Sequence, residues 1–290
     1  MGFNRATTQE TGTILDRIVA DRRERLEEDR ARRPIAELQM LLATRTSPLD
    51  FVARLREGRP DSPANTRLRL IAEIKRASPS KGMLHSKLDA AVLTRTYAEA
   101  GAAAVSVLTE PNFFHGSIDD LSAAADVLID DPNRPALLRK DFVFDPYQVI
   151  EARAYGADAL LLIAMLLTPE TLAELLTLTR SYGMEALVEV HNATEIETAL
   201  AVGAEVIGIN NRDLRTFNED LSTFERLAPL LPDNSTIVAE SAISTRNDAE
   251  RMASAGAHAL LVGESLVRSD EVFTKAHELM LIETTTQDGT

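Results

Sequence analysis

The sequence predicts an α/β fold: a single closed (β/α)8 barrel preceded by an N-terminal helical extension. Three observations carry that expectation. First, one short pattern recurs five times, a glycine, a small or flexible residue, then an apolar run. It reads GAAAVSVL at 101, GADALLLI at 156, GMEALVEV at 183, GAEVIGIN at 203 and GAHALLVG at 256. Second, a segment of helical period precedes each glycine, and glycine just past a helix takes the left-handed conformation that ends it. The apolar runs are short and unbroken, as parallel strands buried on both faces are. Third, the chain has 290 residues, enough for a barrel of about 250 residues and an extension.

Two further junctions use proline and asparagine, DPNRPALLRK and LPDNSTIVAE. With the opening strand they bring the strands to eight, expected near 69–75, 103–108, 136–140, 158–163, 185–190, 205–210, 236–240 and 258–262. Helix starts lie between them. Ser117 precedes IDDLSAAADVL, and Asp145-Pro146 and Thr168-Pro169 place proline at the first helical position. Asn192 with Glu195 reads as a capping box, and Ser244 precedes TRNDAERMASAG. Eight alternations of strand and helix argue for a closed TIM barrel, with a doubly wound open sheet as the competing arrangement. Residues 13–32 are helical in composition and dense in mixed charge, with Ile14, Leu15, Ile18, Val19 and Leu26 as an apolar stripe. The expected division is an extension over 1–48, packed on a barrel over 49–290. The tail IETTTQDGT is polar and expected to fray.

Composition narrows the function classes. Asp and Glu number 45 against 31 Lys and Arg, a formal net charge of −14. Such a surface repels a phosphate backbone, so nucleic acid is not an expected partner. A small anion could still bind where local cations and backbone N–H groups converge. The chain has no cysteine, which excludes disulfides and thiolate chemistry and fits a reducing cytoplasm. The longest apolar run, ALLLIAMLL at 159–167, is too short to span a bilayer as a helix. MGFNRATTQETGTILD shows no apolar signal core and lacks the Ser or Thr of a myristoylation site. The expectation is a cytoplasmic protein, monomeric or weakly oligomeric, without a membrane partner.

Chemistry in such barrels sits at the C-terminal ends of the strands. Strand one ends IAEIK, with Glu73 and Lys75 on one face of an apolar strand. Burying two charges costs several kcal/mol per ion unless geometry repays it, so the two either pair or line a site. Strand three ends Arg139-Lys140-Asp141, strand five carries Glu189, and strand six ends Asn210-Asn211-Arg212. Glu110 and Asp141 suit structural ion pairs equally well. Phe113, Phe114 and Phe142 would form aromatic walls near the same rim. The loops after strands seven and eight read AESAISTR and LVGESLVR. There Ser241 offers a hydroxyl, Gly263 admits a ligand to the backbone, and the following turn presents N–H groups, as phosphate sites of barrels do. The five histidines form no metal-ligand cluster, and no glycine-rich nucleotide loop is present.

EIKRASPSKG, SVLTEPNFFHGS, LLRKDFVFDPYQV, LVEVH, IGINNRDL, VAES and LLVGESL, in that order from about residue 13 onward, resemble the indole-3-glycerol-phosphate synthases of tryptophan biosynthesis. The resemblance implies a carbon–carbon lyase needing no metal or cofactor. Its substrate would be a small phosphorylated molecule, 1-(2-carboxyphenylamino)-1-deoxyribulose 5-phosphate, converted to indole-3-glycerol phosphate, carbon dioxide and water. On that likeness Lys140 is the general acid, Glu189 and Glu73 serve the dehydration, Lys75 meets the substrate's anionic groups, and Asn210 orients it. Ser78 lies near the substrate carboxylate, Phe114 and Phe142 flank the aryl ring, and Arg212 is a neighbouring cation. Ser241, Ala242, Gly263 and Glu264 match the phosphate site. Two positions depart from the common pattern: Ala242 stands where glycine is usual, and Glu264 where some members carry serine. Competing expectations are a sugar-phosphate isomerase barrel and a non-catalytic barrel that binds phosphometabolites.

Overall fold

The computed structural model describes residues 8–59 and 68–282. The fraying expected of the tail falls on 283–290, outside those residues. Eight parallel strands form a closed barrel: β1 (Arg69–Ile74), β2 (Ala104–Leu108), β3 (Ala136–Lys140), β4 (Ala159–Ile163), β5 (Glu185–Val190), β6 (Val206–Asn210), β7 (Thr236–Glu240) and β8 (Ala259–Val262). Each lies within one residue of the expected span. Neighbours in sequence are neighbours in the barrel, and β1 pairs with both β2 and β8. That closure overturns the open doubly wound sheet.

The five repeat glycines all lie at positive φ, from +76° at Gly183 to +99° at Gly156 and Gly256. Gly156 shows why the position resists a side chain twice over: a Cβ there would also meet the Ala125 methyl at 2.6 Å. Each glycine turns its helix sharply into the next buried strand, and this sets the strand register.

Helix starts follow side-chain chemistry. Ser117 caps Ile118–Val127, Thr168 caps Pro169–Ser181, and Asp145 with Gln148 forms a reciprocal box at Pro146–Ala154. Two caps differ from expectation. Thr245, not Ser244, caps Arg246–Ser254 and shares a box with Asp248, to whose carboxylate Ser244 also donates. Asn192 does accept from the Glu195 N–H, but the Glu195 carboxylate takes the His191 N–H instead of closing the box on Asn192.

Helix Ile14–Arg32, capped by Thr13, lies against the barrel. Leu15, Ile18, Val19 and Leu26 are buried, each contributing roughly 1.5–3 kcal/mol at most. Just before it, the Gln9 N–H donates to the Leu166 carbonyl at 2.8 Å. Among the described residues no helix is long and apolar enough to cross a membrane.

Candidate functional site

The C-terminal ends of the strands carry an ion cluster. Glu73, on β1 and 1% exposed, contacts Lys75 Nζ at 2.5 Å through Oε1 and Lys140 Nζ at 3.3 Å through Oε2. The pair noted in the sequence therefore does both things: Glu73 binds Lys75, and together they line the cavity. Gly263, just past the end of the neighbouring strand β8, makes room for this. A Cβ at Gly263 would overlap Glu73 Oε1, so the space left by the missing side chain is taken by that carboxylate.

Lys140, at the end of β3, is also 3.7 Å from Glu240 Oε2. Glu189 on β5 accepts from Asn210 Nδ2 at 3.1 Å and lies 3.2 Å from His191 Nε2. Glu240 ends β7. Its side chain is buried without a hydrogen-bond partner, and it fits because β6 carries glycine at 208, where a Cβ would overlap its carboxylate. Only strand adjacency reveals that, for in the register Gly208 lies beside Val238, two residues before Glu240.

Burial and neighbours divide these groups by charge. Burial alone would raise the Glu73 pKa, but Lys140 and Lys75 hold it down to about 2. Burial would lower that of Lys140, but Glu73, Glu240 and Glu189 more than offset this and hold it above the usual lysine range. Burial raises the Glu189 carboxyl, while His191, Lys140 and Asn210 bring it below the usual carboxylate value. Glu240 moves the other way: burial, then repulsion from Glu189, push it well up despite Lys140. With Glu240 protonated, three cations (Lys75, Lys140, His191) meet three carboxylates (Glu73, Glu189 and, behind His191, Glu195), so the cluster balances overall while both lysines line the cavity.

Above the cluster lie two adjoining cavities. The first, about 100 Å³, has Glu73, Lys75, Lys140, Glu189, Asn210, Ser78 and Arg212 on its polar side. Its apolar side is Phe114 and Phe142, with ring centroids 5.9 Å apart, together with Leu108, Leu161 and Ile163. Phe113 is not part of this wall; it packs against the core. The wall also contains residues that the sequence did not single out: Leu214, Phe217, and Ile14, Leu15 and Ile18 of the extension. The stripe was legible, but which part of the barrel it covers is a long-range contact. Arg212 is held by Glu219 and by Ser80 Oγ at 2.9 Å.

The second cavity, about 370 Å³, shares Lys75, Lys140 and Ser241 with the first and adds Ala242, Gly263 and Glu264, with Lys81 and Arg268 also in its lining. The expected phosphate residues are thus together. Glu264 pairs with Arg268 at 3.4 Å, which partly neutralises the carboxylate that stands where serine is found in some members. Ser241 and Ala242 both have positive φ, +62° and +63°. For an L-residue this costs roughly 1–2 kcal/mol, and such strain gathers at ligand sites.

Ala242→Gly should relieve that strain, offset by about 0.4–1 kcal/mol of added unfolded-chain entropy. The expected result is a small change in urea midpoint together with a lower KM for the phosphorylated substrate. A raised KM would show that the methyl group aids anion binding.

Among the described residues, no three or more His, Asp or Glu side chains are grouped to hold a metal ion.

The profile of the family "Indole-3-glycerol phosphate synthase" matches residues 15–279. A protein of that name from Roseiflexus sp. (strain RS-1) is 48% identical over 271 residues, covering 92% of this chain and 98% of that protein. Its namesake from Dehalococcoides mccartyi (strain CBDB1) is 47% identical over 268 residues, covering 92% of this chain and 100% of the other. A solved 3-hexulose-6-phosphate synthase shares the fold alone, at 15% identity and a TM-score of 0.57 over 74% of this chain and 99% of its own. The family profile spans every strand of the barrel and all of the cavity residues but Ile14, and the chain belongs to the indole-3-glycerol phosphate synthase family.

Proposed function

We propose that this site closes the indole ring of 1-(2-carboxyphenylamino)-1-deoxyribulose 5-phosphate, releasing carbon dioxide and water. The observation that carries the reading is Lys140, one ammonium shared by Glu73 and Glu240 where an apolar cavity meets a polar one. The aryl group lies against Phe114 and Phe142, on the apolar side of the cavity that Leu214 and Phe217 also line. Ser78 and Lys75 meet its carboxylate, and Arg212 adds a second cation. The phosphate lies in the larger cavity, against Ser241, Ala242 and the amides that follow Gly263. In a helical turn those first N–H groups have no partner within the helix.

An aryl carbon attacks the ketone, and negative charge develops on its oxygen. Lys140 stabilises that charge and delivers the proton. Its raised pKa does not forbid this, because an alkoxide is a strong enough base to take a proton from an ammonium. Carbon dioxide then leaves and the ring regains aromaticity. Loss of water follows. Glu189, oriented by Asn210 and ionised, takes a proton from the ring carbon beside the former ketone carbon as the C–O bond of that carbon breaks; the hydroxyl leaves as water with a proton from the lysine pair that Glu73 links. The same reading makes the chain a cytoplasmic enzyme of tryptophan biosynthesis, monomeric or weakly oligomeric, with a small phosphorylated substrate and no nucleic-acid or membrane partner.

The test is to mix the purified chain with this substrate, without added metal and again with a chelator, and to follow indole fluorescence. Equal turnover in both is expected. Tight binding of substrate without turnover would make the chain a phosphometabolite-binding barrel, and neither binding nor turnover would remove the reading.

A further inference from the structure

His191 follows directly on β5, two residues beyond Glu189, and is buried between two carboxylates. Its Nδ1 lies 3.1 Å from Glu195 Oε2, in hydrogen-bond geometry. Its Nε2 lies 3.2 Å from Glu189 Oε1 but off the hydrogen-bond axis, so this is an ion contact and Nε2 has no directed partner. Glu195 is itself fixed. Its carboxylate accepts from the His191 N–H at 2.8 Å and from Asn192 Nδ2 at 2.6 Å, and its own N–H donates to Asn192 Oδ1 at 3.0 Å. The ring therefore sits in a rigid clamp built from the first turn of helix Ala193–Ala201.

A neutral imidazole has one N–H and one lone pair. Between two carboxylates, one nitrogen would then point its lone pair at an anion. Only the doubly protonated ring meets both. The titratable groups facing it are Glu189 on its own strand, Glu195 on the helix, and Glu240 on β7 across the cluster; none of them is a cation. A buried histidine is more often a satisfied packing residue, and its two ring nitrogens then find neutral partners. The paired carboxylates, one of them in the catalytic cluster, argue against that here.

We propose that His191 is a positioning residue, a clamped imidazolium that keeps Glu189 ionised, so that Glu189 enters the reaction as a base and not as an acid. This rests on the reading of Glu189 given above. The poor alignment of Nε2 with Glu189 makes the coupling electrostatic: His191 sets the charge of Glu189 without binding its lone pair, which stays free to take a proton. The outer carboxylate of Glu195 is what holds the ring charged when protons move inside the cluster.

The signs of the test follow. An opposite charge at this range lowers a carboxyl pKa by about 1–3 units. Removing it lets the Glu189 pKa rise, so base-form enzyme is lost at higher pH. His191→Asn keeps a donor toward Glu195 but carries no charge. It is expected to move the acid limb of the kcat–pH profile upward by about 1–3 pH units, with KM on the plateau unchanged. Glu195→Gln, on the outer side of the clamp, should move the limb the same way by less, and it carries the test if the His191 variant does not fold. Independently of activity, 15N NMR of the native chain should find both His191 ring nitrogens protonated at neutral pH and until about pH 10. A neutral ring at pH 7.5, or variants that lose stability while keeping the native acid limb, would overturn the proposal. Absence of turnover by the native chain would instead strike the proposed function, and the NMR result would still decide the charge of His191.

Discussion

Lys140→Ala is expected to lower kcat by about 10²–10⁴-fold, the range for removing a positioned general acid, while the barrel stays folded. Two features of the cluster predict that combination. Among the described residues Lys140 is the ammonium that reaches both Glu73 and Glu240, whereas Lys75, the other lysine lining both cavities, is engaged by Glu73. Its loss does not strand Glu73, because Lys75 remains at 2.5 Å from the other carboxylate oxygen. Single-turnover kinetics would report the chemical step and thermal melting the fold. Lys140→Arg separates the two things Lys140 does. Arginine keeps a positive charge but does not give up a proton in a protein. If electrostatic stabilisation were the whole of its role, arginine would restore most of the rate; the proposed proton transfer requires that it does not. Near-native kcat in Lys140→Ala would remove the assignment altogether.

The barrel was legible because its signals are local. A glycine that ends a helix and the apolar run behind it lie within eight residues of each other, and every strand emerged within one residue of its expected span. The polar residues of the rim were legible for a similar reason: Glu73, Lys75, Lys140 and Glu189 interrupt or end strands that are otherwise apolar. What escaped depends on contacts between distant segments. Glu240 enters the cluster because β6 lacks a side chain at Gly208, and β6 and β7 become neighbours only in the closed barrel. Gly263 was read for what it could admit, and the group that fills its space comes from β1, nearly two hundred residues earlier. The apolar stripe at Ile14, Leu15 and Ile18 was visible as a stripe, yet nothing near it in sequence says that it lines the first cavity. His191 was set aside because it has no metal-ligand partners by spacing; its partners are carboxylates on two different elements.

Arg139→Met is expected to cost about 3–5 kcal/mol of stability in urea unfolding, the range for removing one partner from a buried ion network, and to leave the kcat of the folded fraction close to native. Arg139 precedes Lys140 on β3, and period two sends their side chains to opposite faces. Lys140 faces the cavity. Arg139 is fully buried on the other side, where it donates to Asp141 Oδ2 at 2.9 Å, Glu151 Oε2 at 2.7 Å, Thr109 Oγ1 at 3.1 Å and the Gln148 carbonyl at 2.8 Å. Arg22 of the extension reaches the same two carboxylates at 3.5 and 3.9 Å. Without Arg139, Asp141 and Glu151 would share that single, more distant cation, and two anions would remain in a dry interior. Adding Glu151→Met to Arg139→Met should recover part of the loss, because it removes the uncompensated charge along with its partner. A single variant within 1 kcal/mol of native would mean that Arg22 alone neutralises the pair, and that the extension rather than β3 anchors this side of the barrel. The contrast with Lys140 is the stronger test. Two adjacent basic residues on one strand should give opposite phenotypes, one losing rate without stability and the other stability without rate, because the pleat assigns one to the site and the other to the wall that holds it.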